Sequence, residues 1–250
     1  MKIVVVGGTG LTGAKLVGLL TQQDHHAVAA SPSSGVDAFS GAGLTETLEG
    51  ASVVVDVSNP PMTEGVAALE FFETSTRNLL EAESATGVGH HVALSIVGID
   101  RLAGGAYFRA KIAQEGLITE SSIPYSIVRA TQFFEFIKSL AQAATRGDKV
   151  RLPPVFFQPV AVDEVAAAIA SVAVGPPVNA ILEVAGPEAF RLDEVVRQAL
   201  EASNDSRQVV AEPEAGYFGA DVDARTLLPG DDAHLGTTTF EEWVTRGVVG

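Results

Sequence analysis

The run Ile3-Val4-Val5-Val6 leads straight into Gly7-Gly8-Thr9-Gly10-Leu11-Thr12-Gly13, and no other stretch constrains the fold as strongly. Apolar residues on both faces suit a strand buried within a parallel sheet. Gly7, Gly10 and Gly13 follow with G-x-x-G-x-x-G spacing, and an amphipathic stretch, Leu11–Leu20, comes next. Glycines let the chain turn tightly out of the strand and let backbone approach a pyrophosphate. The helix N-terminus then offers free N–H groups and a positive dipole. With 25 Gly in 250 residues, the spacing alone arises by chance in about one such sequence in four. The strand before and the helix after carry the reading. Gly7, Thr9, Gly10, Leu11, Thr12 and Gly13 are therefore expected to form a dinucleotide-binding loop, the plainer alternative being an ordinary strand-to-helix turn.

The rest of the chain continues this alternation. Val28–Ala30, Val53–Val57, Val92–Ile96 and Tyr125–Val128 read as strands. Val66–Ala82, Tyr107–Glu120 and Phe133–Thr145 read as amphipathic helices. Strands alternating with helices imply a parallel sheet covered on both faces. After about Ala130 the rhythm loosens. Val162–Val172 reads as a helix with Asp163 and Glu164 in its first turn, where the dipole favours acids. Ala180–Val184 and Ser206–Ala211 read as strands, Leu192–Ala202 as a helix, and Phe240–Thr245 as a last helix capped by Thr239. Glu212–Thr239 is rich in Gly, Pro and Asp, has no period, and reads as loop. The fold expected is α/β: a doubly wound Rossmann-type parallel sheet with a small C-terminal substrate-binding cap. Residues 1–135 would form the dinucleotide-binding core. Residues 136–250 would add the remaining sheet elements and the cap, mainly 186–238.

Composition narrows the function classes. Lys plus Arg is 16 against 31 Asp plus Glu, a net charge of −15. Such a chain is repelled by nucleic-acid phosphates and anionic membranes, so neither partner is expected. There is no Cys, which excludes disulfides and thiolate chemistry. The N-terminal apolar run is too short for a secretory signal. The uncharged stretch Val165–Leu182 is broken by Gly175-Pro176-Pro177, short of the roughly 20 apolar residues a span needs. A soluble, cytoplasmic protein is expected, with its oligomeric state open. His25-His26 and His90-His91 sit at strand starts, where adjacent side chains point to opposite faces, so no metal site is expected.

Tyr107-Phe108-Arg109-Ala110-Lys111 places Tyr107 and Lys111 one helical turn apart on one face. With 3 Tyr and five Lys, a chance Y-x-x-x-K is expected about 0.06 times. A neighbouring cation lowers a phenol's pKa and lets it exchange a proton with a carbonyl or alcohol. Ser95, ending the strand before, could bond the same substrate oxygen. A surface helix pair is the plainer reading of Tyr107 and Lys111, and the nucleotide loop tips the balance to catalysis. Gln132, Phe133, Phe134 and Phe136 follow a strand's carboxyl end, where open α/β sheets bind ligands. With Phe156 and Phe157 they read either as core or as a pocket for a flat, apolar molecule. An NAD site would place an acid near Ser31 to bond the ribose hydroxyls. Ala29-Ala30-Ser31-Pro32-Ser33-Ser34 has none there, and Asp37 comes later. The hydroxyls could take a 2′-phosphate, although Lys15 is the only nearby base, so NADP(H) is favoured over NAD(H).

Taken together, these residues resemble an atypical short-chain dehydrogenase/reductase of the NmrA-like kind. The matching elements are Gly7/Gly10/Gly13, Val55-Asp56-Val57-Ser58-Asn59, Ser95, Tyr107/Lys111 and Arg129-Ala130-Thr131-Gln132-Phe133-Phe134. The resemblance implies that Ser95, Tyr107 and Lys111 are the catalytic Ser, Tyr and Lys, and that Asn59 lies on the cofactor side. It implies an NAD(P)H-dependent oxidoreductase; with the aromatic cluster read as a pocket, its substrate would be a carbonyl or quinone on a small aromatic or apolar molecule. Lys111 would also hold the cofactor ribose, and Gln132, Phe133 and Phe134 would line the substrate pocket. Two alternatives stand beside it: a dinucleotide sensor without turnover, as some NmrA-like proteins are, and a quinone reductase that does not use Tyr107.

Overall fold

The computed structural model describes residues 1–60, 65–102 and 104–247. The elements are β1 (Lys2–Val6), α1 (Leu11–Gln22), β2 (His26–Ala30), α2 (Leu44–Leu48), β3 (Val53–Asp56), α3 (Gly65–Thr86), β4 (His90–Ile96), α4 (Ala106–Glu120), β5 (Tyr125–Ala130), α5 (Ile137–Ala143), β6 (Thr145–Arg146), β7 (Lys149–Leu152), β8 (Phe156–Phe157), α6 (Val162–Val174), β9 (Ala180–Ala185), β10 (Phe190–Arg191), α7 (Leu192–Ala202), β11 (Gln208–Ala211), β12 (His234–Leu235) and α8 (Phe240–Thr245). The Val66 side chain, expected on a buried helix face, lies outside the described residues.

Seven strands form one sheet in the order β12-β9-β5-β4-β3-β1-β2. Its β1–β2, β1–β3, β3–β4 and β9–β12 pairs run parallel. The order reverses at β1, so the carboxyl ends of β1 and β3 form a topological switch point, where open α/β sheets bind ligands. This is the expected doubly wound, Rossmann-type sheet. Two smaller sheets, β11-β7-β6 and β10-β8, complete the strands.

The chain divides into two compact units. The first comprises Met1–Ser95, Ala106–Arg129 and Val165–Leu182, and the second Ile96–Gly105, Ala130–Glu164 and Glu183–Gly250. In the first unit Ile3 to Val6 are buried, as the apolar run requires. Helix α1 buries Thr12, Gly13, Leu16 and Leu20, a stripe at helical spacing. Helix α4 is different, because its buried face carries Lys111, Gln114 and Glu115 beside Phe108, Ala110 and Ile118. Buried polar groups demand partners, and these prove to be the substance of the site. In the second unit Phe134 packs against Phe240 and Trp243, anchoring α8. Thr239 caps that helix by accepting from the Glu242 N–H, as its sequence foretold.

The stretch Glu212–Thr239, read as loop, contains β12, whose two residues pair with Val184 and Ala185 of β9. A two-residue strand is too short to show a period. The same holds for β6, β8 and β10. The expected Phe133–Thr145 helix is shorter, a 3₁₀ turn at Phe134–Phe136 followed by α5.

Candidate active site

Gly7 leaves β1 with φ +78°, a backbone region that side chains disfavour. A Cβ there would stand 2.9 Å from the Ser58 backbone, so the loop packs directly on the end of β3. A Cβ on Gly13 would stand 2.2 Å from the Gly7 carbonyl oxygen, whereas one on Gly10 would meet only that oxygen, at 3.3 Å. Gly13 therefore serves the packing of helix on loop, and Gly10 keeps the outer face open. Gly10 is the N-cap of α1 and supplies no capping side chain, and no acid lies in the first turn. Thr9, Gly10 and Leu11 are exposed, Thr12 and Gly13 buried. The N–H groups of a first helical turn lack intrahelical partners, so this bare end fits a diphosphate.

Tyr107 and Lys111 share a helix face, but their polar ends diverge. The Tyr107 hydroxyl donates to Asn59 Oδ1 at 2.8 Å. Asn59 follows Ser58, so the phenol is tied to the strand end on which the glycine loop rests. Its ring packs edge-on against Phe72 and Phe108, and burial pushes the phenol up to about 12. The expectation of a phenol lowered by Lys111 is thus not met, because desolvation of the phenolate dominates. Lys111 instead turns inward. Its Nζ donates to the Leu94 carbonyl at 2.8 Å and to Gln114 Oε1, and lies 4.6 Å from the centroid of the Phe72 ring. Burial pulls this lysine down to about 8, against the opposing charges of Asp56 and Glu115.

Ser95 follows Leu94, so the strand end that carries it is tied to Lys111 through the backbone. Its Oγ is buried without a hydrogen-bond partner, as is that of Ser58. Both are short polar side chains at the carboxyl ends of β3 and β4. Ser31 is buried at the end of β2. Its Oγ lies 2.8 Å from Ser33 Oγ, while Ser34 Oγ bonds the carbonyls of Ala29 and Ser31. Of the three hydroxyls, Ser34 is thus spent on the backbone. Asp37 is occupied as well, accepting from Phe39 N and Ser40 Oγ.

Gln132, Phe133 and Phe134 lie in the second unit. Phe133 stacks on Phe136, which is 50% exposed, whereas Phe134 is in the core. The Gln132 amide is buried with no partner at either end. His90 and His91 take up structural bonds, to Ser126 and Glu83.

Three residues escaped the sequence reading as site members. Gln114, Glu115 and Asp56 are buried and surround Lys111. The signal was present, since Gln114 and Glu115 lie three and four residues after Lys111 on the same face. Asp56 interrupts an apolar strand run.

A family model described as NAD(P)H-binding matches residues 7–176, and the chain belongs to that family. The fold and the family model thus define an NAD(P)H-binding protein built on a Rossmann-type sheet. Similar solved structures include an NADPH-dependent quinone oxidoreductase (QOR2) from Escherichia coli, with 20% identity, TM-score 0.71, and 98% of each chain covered. They also include UDP-glucose 4-epimerase from Thermotoga maritima, with 15% identity, TM-score 0.71, and 99% of this chain and 96% of that one covered. A third is MoeE5 in complex with UDP-glucose and NAD, with 18% identity, TM-score 0.69, and 99% and 92% covered. At these identities the likeness is one of fold. No curated protein matches the chain in sequence. Among the described residues no helix is long and apolar enough to cross a membrane.

Proposed function

We propose that this chain is an NAD(P)H-dependent reductase of a carbonyl or quinone on a small aromatic or apolar substrate. The observation that carries the reading is the Tyr107–Asn59 hydrogen bond. It holds a proton donor at the strand end on which the glycine loop packs. Gly7, Thr9, Gly10, Leu11, Thr12 and Gly13 would hold the diphosphate, with Ser31 and Asn59 toward the riboses. The nicotinamide, when bound, supplies hydride. Tyr107, kept protonated across the neutral range, gives its proton to the substrate oxygen. Lys111, one turn along the helix, supplies positive charge for the phenolate left behind; reaching ribose as well would require its ammonium to leave the Leu94 carbonyl. Ser95 orients the substrate oxygen. NADP(H) is favoured, since no acid at Ser31 would repel a 2′-phosphate.

In the second unit, Gln132, Phe133 and Phe134 are proposed to serve the substrate, with segment 186–238 as its cap. Six of the second unit's eight arginines are engaged by groups of the chain itself, which favours an uncharged substrate over a nucleotide sugar. Arg151, Arg191, Arg197 and Arg207 each face an acid. Arg101 and Arg146 bond backbone carbonyls. These six are already committed, and a diphosphate would need such side chains. The quinone substrate of QOR2 suits this reading, as does a cytoplasmic setting for an acidic chain without Cys.

The inward turn of Lys111 and the high phenol value favour one second reading, a quinone reductase in which hydride goes to the ring and Tyr107 is dispensable. Tyr107→Phe separates the two. A general acid contributes roughly 10²–10⁴-fold to rate, so turnover of aromatic ketones and quinones should fall by about that factor with cofactor binding retained. Full activity in this variant leaves the second reading. A wild-type chain that binds NAD(P)H yet oxidises none of it against a broad panel would be a sensor.

A further inference from the structure

Three acids and four bases are buried in the first unit: Asp56, Glu83 and Glu115 with His90, His91, Lys111 and Arg129. Two pairs meet directly. Glu83 bonds His91 at 2.8 Å, and Glu115 takes both Nε and Nη2 of Arg129, at 2.9 and 2.6 Å. Asp56 and Lys111 are joined differently, through Gln114. Its Oε1 accepts from Lys111 Nζ, and its Nε2 donates to Asp56 Oδ2 at 2.9 Å. An amide has one accepting and one donating end. Between a cation and an anion it can stand only one way round, which fixes the rotamers of all three side chains. The other Asp56 oxygen accepts from the Ser58 N–H at 2.9 Å, so the chain of bonds ends at the residue against which Gly7 packs.

We propose that Gln114 and Asp56 are positioning residues for Lys111, keeping its ammonium at the Leu94 carbonyl and charged, and that this charge sets the alkaline limit of the proton-transfer site. The second half rests on the reading of Tyr107 and Lys111 as that site. Burial drives a lysine toward its neutral form, and Lys111 is 4% exposed. The charges that act on it are those of Asp56 from β3 and Glu115 from α4, with the Phe72 ring of α3 against its ammonium; Asp56 also acts on His91 of β4, and Glu115 holds Arg129 of β5. Glu115 is claimed by Arg129 and His91 by Glu83. Asp56 is left as the acid that acts on Lys111 through a fixed bridge. Lys111, titrating near 8, would lose its charge at mildly alkaline pH, well before Tyr107.

The test follows Lys111 by NMR in ¹⁵N-lysine-labelled protein, assigned with Lys111→Arg and titrated from neutral to strongly alkaline pH. Asp56→Asn keeps the shape and removes the charge; Gln114→Met keeps the bulk and removes the bridge. Each should move the Lys111 midpoint to lower pH by about one pH unit or more, and the alkaline limb of kcat/KM should move with it. Residues that merely fill space would lower thermal stability and leave the midpoint in place, and an unmoved midpoint overturns the proposal. Should Gln114→Met fail to fold, Asp56→Asn alone decides. A midpoint that moves while the alkaline limb stays overturns the link to proton transfer. If the wild type turns over no substrate, the reductase reading fails, while the Lys111 titration still decides the positioning role.

Discussion

Glu83 and His91 face each other with no side-chain exposure on either, Oε1 of the one 2.8 Å from Nδ1 of the other. His90, the preceding residue, bonds Ser126 Oγ at 2.8 Å. Two adjacent histidines at the start of β4 thus enter different surroundings, as side chains alternating along a strand must. Burial would lower His91, but the charge and hydrogen bond of Glu83, with the charge of Asp56, reverse this and raise it above 6.5. His90 is lowered to about 4, by burial and then by the charge of His91.

The two shifts predict opposite limbs of stability against pH. His90 binds its proton more weakly folded than unfolded. Its contribution is present above pH 6.5 and is lost as pH falls toward 4, on the order of 3 kcal/mol in all. His91 binds its proton more tightly folded. Its contribution is full below pH 6.5 and is lost as pH rises through the raised value. Urea unfolding between pH 4 and 9 should show a maximum near neutrality. His90→Asn should flatten the acid limb and His91→Asn the alkaline one. Limbs that survive these substitutions unchanged would show that other groups set them.

Two of the three spaced glycines should behave differently. Gly13→Ala drives a Cβ into the Gly7 carbonyl oxygen, a backbone atom that cannot easily give way. It should lower Tm and cost about 1–3 kcal/mol, as overpacking does. Gly10→Val brings a Cβ to 3.3 Å from the Gly7 carbonyl oxygen, a smaller intrusion than at Gly13, and covers the open helix end. It should fold normally and lose at least about tenfold in affinity for NADH and NADPH, roughly 1.4 kcal/mol. Thermal melts and calorimetry on both variants check this. A Gly10→Val protein with undiminished affinity would remove the loop from the cofactor site.

The main sheet was legible in the sequence because β1, β3, β4 and β5 are apolar runs and the helices between them carry long stripes. The glycine loop was legible because its spacing sits between such elements. What escaped was of two kinds. Strands of two residues, such as His234–Leu235, obey no period and exist only through a partner distant in sequence. The direction of the Lys111 side chain was likewise invisible. Spacing puts Lys111 on the face of Tyr107, but Leu94, Gln114 and Asp56 decide where its ammonium goes. Those residues looked like ordinary members of a strand or helix until their burial was seen.

Arg129 and Glu115 offer a stability test apart from any activity. The pair joins β5 to α4 and is nearly buried, with side chains 10% and 9% exposed. Removing one member of such a pair leaves a charge without its partner and costs roughly 3–5 kcal/mol. Arg129→Met should destabilise by about that amount in urea unfolding. Adding Glu115→Leu should recover a good part of it, because two apolar side chains need no partner. A double variant no more stable than Arg129→Met would mean that the cost lies in packing.

Cofactor choice turns on the end of β2. Ser34 is spent on the carbonyls of Ala29 and Ser31, so a 2′-phosphate would depend on Ser31 and Ser33, whose hydroxyls lie 2.8 Å apart. No carboxylate competes there, because Asp37 is held by Phe39 and Ser40. NADPH should therefore bind more tightly than NADH. Ser31→Asp should reverse the order by repelling the phosphate and accepting from the ribose hydroxyls. Ser34→Ala should lower stability by about 0.5–1.5 kcal/mol through its lost backbone bonds while leaving the cofactor ratio unchanged. Titration of each protein with both dinucleotides gives the ratio. A wild-type preference for NADH, or a Ser31→Asp protein that still prefers NADPH, would place the ribose contact elsewhere.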